Sequence, residues 1–140
     1  MKRLRGNRQG FTLVELLVAL TIFAIGLLSI AGMQITAMRT NRGANTLTAA
    51  TAVAEGVLEE ILARTVDDPT YASSSAGNAY DFDPATAGTQ SSVTVTGAGT
   101  YTASFDIERN YNGVPNVARI TVNLTGAGRT ITLVGFKRTV

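Results

Sequence analysis

Cysteine, histidine and tryptophan are all absent from this chain of 140 residues. Without Cys or His there is no thiol nucleophile, no imidazole base, no Ser-His-Asp triad, and no zinc or haem ligation by those residues. Carboxylate chemistry remains open in principle, but no catalytic constellation stands out. No metal site and no cofactor is expected, and the reading is of a protein that is not an enzyme. A domain of this chain outside the cytoplasm must hold together without a disulfide. Aromatic residues make up only 6%, too few for a base-stacking platform, so no nucleic acid is expected as a direct partner. Proline occurs three times, and acidic residues are missing from the first ten positions.

What is present is unevenly placed. Leu16 to Met38 is an uncharged run, LLVALTIFAIGLLSIAGMQITAM. As a helix at about 1.5 Å per residue it would span roughly 34 Å, enough for a hydrocarbon core of about 30 Å. The rest of the chain is rich in Thr, Ala, Gly and Asn and has no second such run. One membrane segment followed by one domain is therefore expected. Met1–Gly10 carries Lys2, Arg3, Arg5 and Arg8, which places the N-terminus in the cytoplasm and the C-terminal domain across the membrane. In a Gram-negative cell that is the periplasm. An uncleaved signal anchor and a cleaved secretory signal peptide both fit this arrangement, the latter with Ser29-Ile30-Ala31 as a cleavage triplet. The apolar run is long for a secretory signal, and its periodicity continues past that triplet.

The string Gly10-Phe11-Thr12-Leu13-Val14-Glu15 resembles the processing site of type IV prepilins and type II secretion pseudopilins. The resemblance implies a basic leader, Met1–Gly10, removed by a prepilin peptidase between Gly10 and Phe11. It implies N-methylation of the new N-terminal Phe11. Glu15 would be the fifth mature residue, pairing with the N-terminal amine of a neighbouring subunit and setting assembly register. A local account of Glu15 stands beside this one. Thr12-x-x-Glu15 has the spacing of a capping box, and a carboxylate suits the positive end of a helix dipole.

Beyond Met38 the residues Arg39, Thr40, Asn41 and Arg42 read as a membrane exit. The pattern then turns amphipathic, with Leu47, Ala50, Ala54, Val57, Leu58, Ile61 and Leu62 on one face and Glu55, Glu59 and Glu60 elsewhere. One helix from Phe11 to about Arg64 is expected, its part 11–38 in the membrane or fibre core and its part 39–64 on the domain. Gly26 and Gly32 interrupt it, and in the family resembled here they would be points of helix flexibility. Residues 65–90 show no period and read as a long αβ loop, pinned to the domain by Tyr71, Tyr80 and Phe82. Asp81-Phe82-Asp83 reads as solvated loop rather than a cation site, because calcium-loop spacing is missing.

Residues 91–140 hold four strand-like runs, Ser91–Thr96, Thr100–Asn110, Asn116–Thr125 and Arg129–Arg138. Period-2 alternation is clear in the second and third. The connections Gly97-Ala98-Gly99, Asn112–Pro115 and Gly126-Ala127-Gly128 suit hairpins. The expected fold class is α+β, a long N-terminal helix packed on a four-stranded antiparallel sheet, which is also the pilin architecture. Over residues 1–64 the chain is similar to the PilV-type minor pilins. That likeness implies a minor pilin, anchored in the inner membrane and priming or joining pilus assembly with other minor and major pilins. A type II secretion pseudopilin and a bitopic periplasmic binding domain with an uncleaved anchor are the alternatives. Loss of the leader would change side-chain charge from +2 to −2, eight bases against ten acids, so the basic pI of about 9.3 belongs to the precursor.

Overall fold

The computed structural model describes residues 10–139, and the chain divides into two units, Met1–Asn41 and Arg42–Val140. The helix α1 (Leu13–Ala63) contributes its first part to the former and its remainder to the latter. Five strands follow, β1 (Ser75–Ala79), β2 (Ser92–Val95), β3 (Gly99–Arg109), β4 (Val117–Gly126) and β5 (Arg129–Arg138). The class is α+β and pilin-like, one long N-terminal helix packed on an antiparallel sheet.

The sheet has five strands, one more than the sequence pattern predicts. The extra one, β1, lies inside the stretch expected to be loop. Its sequence, Ser-Ala-Gly-Asn-Ala, has no apolar alternation because it buries almost nothing. Backbone pairing to β3 and two side-chain bonds hold it instead. Asn78 Nδ2 donates to the Phe105 carbonyl at 3.1 Å, and the Gly77 N–H donates to Asp106 Oδ1 at 2.6 Å. β1 pairs with Ser104–Ile107 and β2 with Gly99–Thr102, so two short strands share one long edge of β3. The order across the sheet is β1, β3, β4, β5, with β2 beside β1's position on β3.

Every second residue of β3 and β4 points inward, as the alternation predicts. Tyr101, Ala103, Phe105 and Ile107 are buried, and so are Ala118, Ile120, Val122 and Leu124. The register sets Phe105 opposite Val122 and Ile107 opposite Ile120, so the two rows meet in apolar cross-strand pairs. The helix covers them with Ala50, Ala54, Val57 and Ile61, all buried. Their spacing keeps one stripe in contact while Glu55 and Glu59 stay in solvent. Leu47, expected on this stripe, is 43% exposed. Thr46 takes that position instead, half-buried, with its carbonyl accepting from Tyr101 OH at 3.0 Å.

The turns follow from backbone geometry. Gly126 pairs with Arg129, leaving a two-residue hairpin of Ala127 (φ 50°) and Gly128 (φ 74°). Positive φ at both positions matches the right-handed twist of the strands. The β3–β4 connection differs from the expected Asn112–Pro115 turn. It is a short 3-10 turn, Tyr111–Gly113, with Asn110, Asn112 and Asn116 at positive φ. Asn is the side-chain-bearing residue that best tolerates that region.

Candidate functional site

Gly10, Phe11 and Thr12 precede the helix. The rest of the expected leader, residues 1–9, lies outside the described residues. Phe11 is 81% exposed, and among the described residues nothing lies within 4 Å of a Cβ placed on Gly10. Among the described residues nothing covers the Gly10–Phe11 peptide bond. Thr12 caps the helix: its Oγ1 accepts the backbone N–H of Glu15 at 3.3 Å, and its carbonyl accepts the N–H of Leu16 at 3.3 Å. This is one half of the capping box read in the sequence. The bond uses Glu15's backbone, so the cap does not consume the carboxylate. Gly10, Phe11, Thr12 and Glu15 together line an open recess at the helix start.

The first part of α1 buries none of its apolar residues within the protein. It is the one described helix long and apolar enough to cross a membrane. Leu13, Leu16, Leu20, Phe23, Leu28 and Met33 are all more than half exposed. Its hydroxyls are satisfied internally. Thr21 donates to the Leu17 carbonyl at 2.8 Å, Ser29 to Ile25 at 2.9 Å and Thr36 to Gly32 at 3.1 Å. A hydroxyl that returns its proton to the preceding turn can lie in hydrocarbon without an orphaned donor. The helix runs unbroken through Gly26 and Gly32, where added Cβ atoms would meet nothing within 4 Å.

A second cluster lies where α1 ends, and sequence reasoning missed its centre. Lys137, on the inner face of β5, donates to the Leu62 carbonyl at 2.6 Å and to the Arg64 carbonyl. A cation here satisfies carbonyls that the helix leaves unpaired and suits its negative end. The sequence signal was thin, a lysine alternating with apolar positions on a C-terminal strand. Around it, Tyr71 OH donates to the Ile61 carbonyl and Tyr80 OH to Glu60 Oε2. Arg64 pairs with Glu60 one helical turn away at 3.3 Å and also donates to Thr70 Oγ1 at 2.9 Å. Tyr71 and Tyr80 are buried and Phe82 packs against the core, so the three aromatics pin the connecting segment as expected. Asp81 Oδ1 accepts the backbone N–H groups of Asp83 at 3.1 Å and Gln90 at 3.0 Å. Asp81 therefore closes a loop. Among the described residues no group of three or more acids is placed to hold a metal ion.

Three ionisations are shifted in this cluster. Hydrogen bonds from the side chain and backbone of Thr70 hold the Asp68 carboxyl below its usual range, with smaller help from Arg64 and Lys137. Burial pushes the Tyr71 phenol up. Burial also raises that of Tyr80, and the bond to Glu60 raises it further. An acid whose folded value is raised keeps its proton longer in the folded chain. Its contribution is complete below the unfolded value of about 10 and is lost as pH rises beyond it. Thermal melts of the sheet-bearing unit should thus fall steeply above pH ~10. Tyr80→Phe should cost about 1 kcal/mol at neutral pH and flatten that alkaline decline. An unchanged alkaline slope in this variant would contradict the assignment.

A family model described as the prokaryotic N-terminal methylation motif matches residues 5–31. No curated protein and no solved structure gives a significant match. The matched segment spans the Gly10–Phe11 bond, the Thr12 cap, Glu15 and the apolar start of α1. A motif of this kind implies processing by a prepilin peptidase and assembly with other pilins. With the long apolar helix it also suggests membrane anchoring. The chain carries the prokaryotic N-terminal methylation motif over residues 5–31, at the start of a long apolar helix.

Proposed function

We propose that the chain is a minor type IV pilin of the PilV type, made as a precursor and inserted in the inner membrane with its sheet-bearing unit in the periplasm. Prepilin peptidase removes Met1–Gly10, and the new N-terminal Phe11 is methylated. The subunit then primes or joins pilus assembly with other minor and major pilins and ends in the fibre. One observation carries this reading. The methylation motif over residues 5–31 coincides with a Gly10–Phe11 bond that nothing among the described residues covers, set directly before a capped, apolar helix.

The chemistry is assembly rather than catalysis. The lipid-compatible half of α1 exchanges lipid for neighbouring helices. Glu15, close to the new amine on Phe11, fixes the axial step by pairing with a neighbour's N-terminus. That pair gains strength where water is excluded. Gly26 and Gly32 are where we place any local unwinding on assembly, since glycine lowers the cost of leaving the helix by about 1 kcal/mol each relative to alanine.

Intact-mass measurement on protein purified from membranes tests the processing step. The expected mass is that of residues 11–140 plus one methyl group. Retention of Met1–Gly10 would favour an uncleaved anchor and overturn the pilin reading.

A further inference from the structure

The two edges of the sheet are built differently. One edge is the column shared by β1 and β2. It consists of two short strands, with an irregularity between Ser75 and Asn78 and Pro84 in the connection. Short strands, bulges and proline are the features that keep a sheet edge from pairing with other chains. The other edge is β5, which lacks them. It pairs with β4 through ten successive positions without a bulge, and among the described residues nothing pairs with its outer side. Its central stretch, Thr130–Phe136, has neither charge nor proline. A stretch of that composition is prone to add a further strand.

Both faces of this edge would gain from cover. On the outer face Val134 is 49% and Phe136 58% exposed. The Phe136 ring lies 5.5 Å from that of Tyr111, which in turn has Arg119 stacked at 4.6 Å. On the inner face Ile131 and Leu133 are only half-buried at the margin of the core. An added strand would set alternate side chains against both rows.

Charge selects the occupant. All three ionisable residues of β5 are basic, Arg129, Lys137 and Arg138. Lys137 is engaged with the end of α1, whereas Arg129 and Arg138 are exposed at the two ends of the strand. A second copy pairing β5 on β5 in full antiparallel overlap would bring Arg129 against Arg138 at both ends. Pairing with a second copy's opposite edge would meet the irregular β1 column. We propose that the free edge of β5 docks an extended segment of another polypeptide, alternating in apolar character and flanked by carboxylates, as an added antiparallel strand. The match needed is two carboxylates about nine residues, or roughly 30 Å, apart.

The test uses the full chain in detergent micelles and does not depend on the pilin reading. The probes are a fluorescent decapeptide, Asp-(Thr-Val)4-Asp, its twin with Lys at both ends, and an Asp-ended version N-methylated at alternate residues. The Asp-ended peptide should bind about ten-fold more tightly than the Lys-ended one and slow amide exchange within Thr130–Phe136. The N-methylated peptide should not bind, because main-chain bonds carry the contact. The exposed-site double variant Arg129→Glu/Arg138→Glu should invert the charge preference. Equal affinity for both peptides, no binding of any peptide, or protection elsewhere on the sheet would overturn the proposal. So would dimerisation of the full chain in micelles that slows amide exchange within Thr130–Phe136 with no peptide present, since it would make a second copy the occupant.

Discussion

A chain carrying Glu15→Ala should reach the membrane and be processed at the wild-type level, yet be depleted at least about ten-fold from sheared fibres. The reasoning separates local from assembly roles. Thr12 Oγ1 caps α1 through Glu15's backbone N–H, and alanine keeps that donor. What the helix loses is a carboxylate near its positive end, worth about 0.3–1 kcal/mol in exposed settings. Insertion should not suffer, because an acid costs about 2.5–3.5 kcal/mol at the bilayer centre and less near the helix start where Glu15 lies, and alanine carries no such cost. Within the proposed function, the remaining role is the pair with a neighbour's N-terminal amine. Glu15→Gln should behave like alanine, since it keeps the size and loses the charge. The check is an immunoblot of the sheared fraction against the membrane fraction. Normal recovery of Glu15→Ala in fibres would remove the register role and leave the carboxylate a local feature.

The second large effect concerns folding. Gly126→Ala should destabilise the sheet-bearing unit by about 3 kcal/mol or more, toward the upper end of what overpacking costs. A Cβ there would sit 2.4 Å from the Thr100 carbonyl oxygen and 2.9 Å from the Tyr101 Cα. Both are backbone atoms of the partner strand, and neither can rotate away. Tyr101 itself is anchored by bonds from its hydroxyl to the Thr46 and Ala98 carbonyls, so relief by shifting its ring would break those. Gly135→Ala is the control. Its Cβ would meet the side-chain ends Leu58 Cδ1 at 3.0 Å and Leu62 Cδ1 at 3.2 Å. Those methyls can move, and the cost should be about 1 kcal/mol. Chemical denaturation of the two variants should show a clearly larger loss for Gly126→Ala. Equal losses would mean that the strands can part at Gly126 without penalty.

The contrast between these glycines shows where sequence reading stops. Gly126 belongs to a Gly-Ala-Gly string that reads correctly as a hairpin turn, because turn chemistry is local. That its first glycine also accommodates the backbone of β3 depends on a strand some 25 residues earlier. Lys137 is similar. Its value lies in reaching carbonyls at the end of α1, over 70 residues away, and nothing in its neighbourhood along the chain points there. β1 escaped because pairing through the backbone and polar side-chain bonds leaves no hydrophobic period to read.

The sequence by itself determined the features that arise from local order. These are the basic N-terminus, the uncharged helix behind Gly10-Phe11-Thr12-Leu13-Val14-Glu15, and the alternation of β3 and β4. Each depends on spacing within a few residues, which helix and strand geometry turn directly into one face or one end. Only the tertiary structure decided that two short strands share one edge of β3 while β5 leaves the other open. It alone placed Thr46 rather than Leu47 on the buried stripe and Lys137 under the helix end. Those outcomes depend on which distant segments meet, and the backbone hydrogen bonds and steric clearances that select such meetings leave no periodic trace in the chain.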